Sequence, residues 1–383
     1  MKRRYPLQTL LSCLLLLCII LDVFAQNEKA EVRIDSVMKR FDMVGLSVAV
    51  VKKGEIIYAH SFGVKNIENK IPLSDRDIFR IASISKSFSA TSIMQLVQAK
   101  KLSLSDDVSK LVGFTVRNPK FPDKIITLKM LMSHTSSLND GQGYFTLDII
   151  NPDKNPDWAK SYSDYAPGAG YKYCNLNYNM VGTIIERVSG QRFDKYVKQH
   201  ILDPLGLYGG YEVGALDSTR FVTLYNYDST TKQFTADPGA YNPRTAEINQ
   251  YVMGYSTPIF SPTGGMKISA TDLAIYMTMH MYLGKFKTVK IIKKKSARTM
   301  QKQVSDGEGG YGLAIMTTDK MIPGKEMKGH TGSAYGLYSM MFFQPHEKFG
   351  IVAITNGCNP VYEGGFNLSL KSVLNVLYEE MIK

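Results

Sequence analysis

Cysteine is scarce in this chain: of four among 383 residues, Cys13 and Cys18 fall within residues 1–25, leaving Cys174 and Cys358. Two thiols make no disulfide framework, so a small disulfide-stapled scaffold is excluded and the pair is expected as small buried thiols. No His-Glu-x-x-His sequence and no Cys/His cluster occurs, so neither a metal centre nor a cofactor is expected. A nucleic-acid module is missing too, although the formal charge is +12. The surplus gathers at Lys285, Lys287, Lys290 and Lys293-Lys294-Lys295. A solvated loop and helix face explains such a run, with a weak attraction to anionic cell-envelope surfaces as the functional reading. Internal repeats and low-complexity segments are absent.

Long apolar runs are limited to the beginning of the chain. Lys2, Arg3 and Arg4 precede the stretch from Leu10 to Leu21, and Val23-Phe24-Ala25 ends in a small residue before Gln26. That run falls short of the roughly 20 residues of a membrane span. It reads as a secretory signal peptide, residues 1–25, cleaved after Ala25, which implies export to a periplasm or the cell surface. Leu10-Leu11-Ser12-Cys13 imitates a lipoprotein processing site, but the apolar run continues past the cysteine.

The full chain is 44% hydrophobic and 21% charged, ordinary for a globular protein with a real core. Ala30 to Phe41 carries Val32, Ile34, Val37, Met38 and Phe41, an amphipathic helix pattern. Leu46–Val51 and Glu55–Ser61 flank Lys52-Lys53-Gly54 as a β-hairpin, and Leu337–Phe343 and Phe349–Thr355 form a second one. Ile84 to Ala99 reads as a helix apolar enough to be central. From Leu102 to about Met253 the signals are short helices and long tyrosine-rich loops, with a hairpin near Phe221–Phe234. Thr127 and Ser269 stand where they can cap helices, and Val181, Ile184, Ile185 and Val188 share a face closed by Gly190. Leu370, Val373, Leu374, Leu377 and Met381 make a last stripe. Strands near both ends around a helical middle predict one antiparallel sheet built from both termini. The division is residues 26–100 and 254–383 as an α/β part and 101–253 as a mainly helical insertion. Loops 139–166 and 208–262 are long enough to be lids or binding walls.

The chemistry is carried by three short stretches. In Ser83-Ile84-Ser85-Lys86 a serine and a lysine lie three apart at a helix start, so a base can stand beside a nucleophile on one face. Serine needs such a neighbour to take its proton, and lysine accepts one only where burial or nearby positive charge disfavours its ammonium form. The spacing alone is weak, since Ser36 to Lys39 and Ser229 to Lys232 share it. Two companions add weight: Tyr173-Cys174-Asn175, the only Tyr-x-Asn in the chain, and Gly329-His330-Thr331-Gly332 before a strand-like run.

In this order the three stretches resemble the motif set of the serine β-lactamase and penicillin-binding protein superfamily, in its class C β-lactamase, D,D-peptidase and esterase branch. Ile126–Ser136, Pro167-Gly168, Asp203–Leu207 and Gly264-Gly265-Met266 look like further landmarks of that family, so the likeness covers about residues 30 to 383. Ser137 departs from it, standing where glycine usually follows His-Thr-Ser, which should alter a turn and not the chemistry. The resemblance implies an α/β (α+β) β-lactamase/transpeptidase-like fold with an all-α insertion and the site in the cleft between them. It implies Ser83 as nucleophile, Lys86 as its proton acceptor, and Tyr173 in proton transfer and deacylation. Asn175 would bind substrate, its side chain pointing the same way as that of Tyr173 if the segment is extended. His330, Thr331, Gly332 and Ser333 would line a strand beside the substrate, with the amides of Ser83 and Ser333 as oxyanion hole and Gly332 admitting the substrate to the backbone. His330, partly charged near neutrality, would bind a substrate carboxylate weakly and with pH dependence. His134 is read as structural. The expected function is an exported serine hydrolase acting through an acyl-enzyme on a small-molecule or peptidoglycan-derived substrate: a D-Ala-D-Ala-type peptide, a β-lactam or a small ester. The alternative is a penicillin-recognising sensor that acylates without turnover.

Overall fold

The computed structural model describes residues 26–383; the expected signal peptide lies outside the described residues. Helix α1 (26–40) comes first. Its inner face buries Ile34, but Val32, expected on that face, is 63% exposed. The chain then builds β1 (Gly45–Lys52), β2 (Glu55–Asn66) and β3 (Ile71–Pro72). Lys53 and Gly54, both at positive φ (54° and 91°), close the first hairpin. Such a left-handed pair matches the twist of the strands it joins. Near the other end come β4 (Met316–Ile322), β5 (Lys325–Ala334), β6 (Leu337–Gln344) and β7 (Phe349–Thr355). The sheet runs β4-β5-β6-β7-β1-β2-β3, antiparallel throughout, and the pairing of β1 with β7 (Val48 opposite Ala353) fuses the two ends of the chain into one layer.

Both faces of this sheet are covered, which is why its central strands are almost continuously apolar. Leu46, Val48 and Val50 of β1, with Phe349, Ile351 and Ala353 of β7, pack against α1 and the last helix α5 (Leu368–Leu377). The alternate residues Ala49, Val51, Val352 and Ile354 face the larger core. That core holds α2 (Ser85–Gln98), α3 (Asn175–Ser189) and α4 (Ala270–Met281).

Helix α2 is buried nearly all round, as its composition requires, and Phe88 stacks on Tyr276 of α4 with ring centroids 3.7 Å apart. Its hydroxyls find partners: Ser87 on Ile84 O, Ser92 on Phe88 O and Ser89 on Pro262 O. A buried polar group left unpaired would cost about 1–3 kcal/mol. Helix α3 ends at Gly190 with φ 74°. Residues 101–253 supply α3, several short helices and turns, and the hairpin Tyr225–Asp228 with Gln233–Ala236. A three-stranded sheet, Phe79–Arg80, Lys267–Ile268 and Gly209–Gly210, joins this middle region to the rest. Cys174 and Cys358 are free and buried. Among the described residues no helix is long and apolar enough to cross a membrane.

Candidate active site

Ser83 stands in the turn Ala82–Ile84, between the strand Phe79–Arg80 and the start of α2. Ala82 holds φ 47°. For a residue with a Cβ that left-handed conformation costs about 1–2 kcal/mol. The surroundings fix it: Ile81 N donates to Met266 O (2.9 Å), Met266 N donates to Ser85 Oγ (3.0 Å), and Ser339 Oγ on β6 donates to Ile81 O (3.0 Å). Gly332 on β5 lies against the same turn. A Cβ there would meet Ile81 O at 2.3 Å and Ser83 N at 3.1 Å. The glycine is therefore needed for strand and nucleophile turn to approach, a role the sequence did not suggest.

Lys86, the second residue of α2, is fully buried. Its Nζ lies 3.0 Å from Ser83 Oγ, 2.9 Å from Asn175 Oδ1 and 3.0 Å from Thr263 O, and 4.7 Å from the centroid of the Tyr173 ring. Two carbonyl oxygens thus hold N–H groups and aim the third position of the nitrogen at the serine. Asn175 is the first residue of α3, and Cys174 before it is extended (φ −145°). The helix start serves as well, because Asn175, Asn177 and Asn179 radiate from it to different partners. Asn175 Oδ1 also accepts from Thr263 Oγ1 (3.0 Å), Asn177 Oδ1 accepts from Ser136 Oγ (2.9 Å), and Asn179 Oδ1 accepts from Thr263 N (3.3 Å).

Two residues outside the expected set organise this helix start. Asp140 accepts from the N–H groups of Asn175 (2.8 Å) and Leu176 (3.1 Å), from Asn175 Nδ2 (3.0 Å) and from Cys174 Sγ (3.2 Å). A carboxylate from a distant loop therefore caps α3, satisfies its first amides and fixes the orientation of the Asn175 amide. His134, read as structural from sequence, grips the backbone on both sides of Tyr173: its carbonyl accepts from Lys172 N (2.9 Å) and its Nδ1 from Cys174 N (3.2 Å). Its ring lies against Tyr173, centroids 4.3 Å apart. Burial, then the Lys86 charge, pushes the His134 pKa well below the usual imidazole value, so it stays a neutral acceptor. Asp140 follows the His-Thr-Ser landmark by four residues, a proximity that could have flagged it.

His330 on β5 is 2% exposed. Burial, with the Lys86 charge adding, pushes its pKa down to about 3. Its Nδ1 sits 2.6 Å from Thr331 O and its Nε2 3.0 Å from Tyr311 OH. A neutral ring can meet both only with the proton on Nδ1 donating to the carbonyl and Nε2 accepting from the tyrosine, a tautomer assigned from the network. His330 then has neither a charge nor a spare N–H for a carboxylate, which corrects the expected pH-dependent positive charge. Ser83, Tyr173, Asn175, His330, Thr331, Gly332 and Ser333 all line one cleft of about 590 Å³, and Lys86 lies behind it. Tyr144 and Phe145, from the long loop after Asn139, form its outer wall.

Ser137 has φ 65°, the left-handed conformation that explains glycine in this position of the family pattern. Its hydroxyl accepts from buried Asn118 Nδ2 (3.0 Å), and the carbonyl accepts from Ser163 N (2.7 Å).

Ser83, Lys86 and Tyr173 thus meet beside one cleft at the head of a buried helix. The Beta-lactamase family profile matches residues 31–366, and the chain belongs to that family. Protein flp of Staphylococcus aureus (strain N315) is 24% identical over 328 residues, covering 82% of this chain and 59% of that protein. The chain thus spans about three-fifths of the length of that curated relative. The penicillin-binding protein homologue from Pyrococcus abyssi, described as octameric, aligns with a TM-score of 0.71 at 26% identity, over 92% of this chain and 78% of its own. The D-amino acid amidase from Ochrobactrum anthropi SV3 shares the fold with a TM-score of 0.70 at 21% identity, over 93% and 99%. At the level of the family, a serine hydrolase is the class these findings support.

Proposed function

We propose that the chain is an exported serine hydrolase that cleaves a small amide or ester through an acyl-enzyme. The observation that carries the reading is the 3.0 Å approach of buried Lys86 Nζ to Ser83 Oγ, with Asn175 Oδ1 and Thr263 O holding the amine in place. In the neutral form the amine presents its lone pair to the hydroxyl and takes the proton as Ser83 Oγ attacks the carbonyl carbon. The ammonium so formed returns a proton to the leaving group, directly or through Tyr173, whose ring lies beside it. The oxyanion is received by the backbone amides of Ser83 and Ser333 at the meeting of turn and strand. Water activated by the same Lys86–Tyr173 pair then releases the acyl group.

His330 gives the cleft no cation, so the positive charge that a lysine at that position would offer a β-lactam carboxylate is missing. An amide or ester ranks above an antibiotic as substrate, and a D-amino acid derivative is one form, since a protein of the same fold is a D-amino acid amidase. Export rests on residues 1–25, with their basic start, apolar run and small residue at Ala25. The N-terminal sequence of the protein recovered from its producing cell tests it, Gln26 being expected.

Intact-mass measurement over time tests the chemistry. Protein beginning at Gln26, and its Ser83→Ala variant, are mixed with a penicillin and with a chromogenic short-chain ester. An adduct on wild type alone that decays as product accumulates is expected. A stable adduct without turnover of either compound would overturn the hydrolase in favour of the acylating sensor.

A further inference from the structure

Arg80 and Lys267 are register partners in the three-stranded sheet, directly opposite each other on neighbouring antiparallel strands. Their side chains therefore share a face. Like charges so placed repel, and burial raises the cost. Lys267 is 3% exposed and Arg80 part-buried. Burial, and then the Arg80 charge, pulls the Lys267 pKa well below the ordinary lysine value. Among the described residues neither has a carboxylate within salt-bridge distance. Lys267 Nζ donates to Tyr211 O (2.7 Å); Arg80 Nε donates to Gly264 O (2.9 Å) and its Nη1 to Ala240 O (3.4 Å), with the guanidinium over the Tyr335 ring. Among the described residues Arg80 Nη2 has no side-chain or backbone acceptor within hydrogen-bond distance.

Both side chains line a second cavity, of about 300 Å³, which shares Arg80, Phe145, Ser261 and Tyr335 with the reaction cleft. Two acids also reach it, but each is engaged. Glu212 accepts from Arg192 (2.5 Å) and Lys195 (2.9 Å), and Glu247 accepts from Arg244 (3.0 Å). The cavity thus sets two basic side chains side by side with no carboxylate paired to either, and Arg80 stands three residues along the chain from the nucleophile; an anion bound between them would hold Lys267 as an ammonium.

We infer that the Arg80–Lys267 pair receives a carboxylate carried by the substrate away from the scissile bond, so that the preferred substrates are acidic amides or esters. The planar Arg80 fork suits a carboxylate, and the ammonium of Lys267 can add a second charged donor. The step from anion site to substrate preference rests on the hydrolase reading; the anion site itself does not.

Two measurements separate these. Calorimetric titration of glutarate into the Ser83→Ala protein reports the site without catalysis, with butyrate as the weaker comparison ligand. Saturable glutarate binding is expected, weakened roughly tenfold or more by Lys267→Met or Lys267→Gln, as for loss of one charge-assisted hydrogen bond. Glutarate binding that is absent, or equal in wild type and both variants, overturns the proposal. Turnover is then compared for p-nitrophenyl esters of glutaric and butyric acid, and for ester pairs with and without a carboxylate in the leaving group. A preference for the acidic member in either series, reduced at least tenfold more by Lys267→Met than the neutral rate, supports the inference and says which side of the substrate is held. Equal losses on acidic and neutral esters, with a lowered melting temperature, show a structural lysine and overturn it. If neither the esters nor the matching amides are turned over the hydrolase reading fails, and the titration still decides the anion site.

Discussion

Lys86 and Lys267 are both buried, the first behind the reaction cleft and the second on the wall of the adjoining cavity, yet their neighbours differ in kind. Lys86 meets a serine hydroxyl, an asparagine carbonyl and a backbone carbonyl, and lies near the faces of Tyr173 and Tyr178. Lys267 meets one carbonyl and, across the strand pair, an arginine. The first environment suits an amine that gains and loses a proton at a fixed spot. In the second, protonating the lysine would set positive charge against positive charge, a cost that a bound anion would relieve. Burial alone distinguishes nothing here; the partners within about 3 Å assign the chemistry.

The contrast breaks most visibly at the reaction centre. Lys86→Met or Ser83→Ala is expected to lower kcat for a chromogenic ester by about a thousandfold or more, the scale seen when a nucleophile–base unit is dismantled. If Lys267→Met cost as much on a neutral ester, the two lysines would not have the separate roles assigned to them. Tyr173→Phe keeps the ring beside Lys86 and removes only the hydroxyl. A loss of roughly a hundredfold in kcat, typical of a general acid–base group, is expected, with the acyl adduct decaying more slowly. Unchanged adduct decay in single-turnover mass measurements would reduce Tyr173 to a packing role.

Asp140 acts one step removed. Asp140→Asn keeps the size of the side chain, but one of its acceptor oxygens becomes a donor facing the N–H groups of α3. The Asn175 amide loses its anchor, and with it the partner that orients Lys86. About a tenfold fall in kcat with KM little changed is expected, since effects through a positioning residue are smaller than those of the reacting groups. A Ser137-to-Asp140 turn that merely stabilised the fold would lower the melting temperature and leave kcat per folded molecule intact.

How far the sequence carried the argument follows from the range of each signal. The hairpins around Lys53-Gly54 and Gln344–Lys348, the capped helices and the Ser83, Lys86, Tyr173 and Asn175 set are local patterns, and all are legible in a few residues. The join of β1 to β7 was inferable because strands occurred at both ends. The like-charge pair of Arg80 and Lys267 was not legible, because it depends on the register of two very short strands 187 positions apart in the numbering. Asp140 lay in a loop with weak periodicity, and its target, a helix start, is visible only in space. The charge of His330 was misread for a related reason: its motif gives the residue type, but the enclosure and the Tyr311 hydroxyl that keep it neutral come from elsewhere in the fold.

That enclosure gives a pH prediction. His330 and His280 have folded pKa values near 3, the latter through burial alone. Unfolded histidine titrates near 6.5, so between about pH 6.5 and 3 the unfolded chain binds more protons, and stability must fall as pH falls through that window. Each such ring contributes a slope of up to about 1.4 kcal/mol per pH unit there. Ring NMR signals of both histidines should not titrate between pH 5 and 8, and His280→Gln should flatten the acid decline in melting temperature. A His330 signal titrating near 6.5 would return a partial charge to the cleft and reopen carboxylate binding on β5.

The smallest effect is expected at Ser137, where the chain departs from the family pattern next to the reaction centre. Ser137→Gly relieves a left-handed φ of 65° and deletes the hydroxyl that accepts from Asn118 Nδ2. Asn118 Nδ2 still donates to Ser163 O (2.9 Å) and Tyr165 O (3.3 Å), so its amide keeps partners after the change. Relief of strain, about 1 kcal/mol, and loss of one hydrogen bond, about 1 kcal/mol, act in opposite directions. Because the two terms offset, melting temperature should move by a few degrees at most and kcat/KM should stay within about twofold. A tenfold loss of kcat/KM without unfolding would mean that this turn sets the position of His134, three residues earlier, and through its two backbone contacts the position of Tyr173.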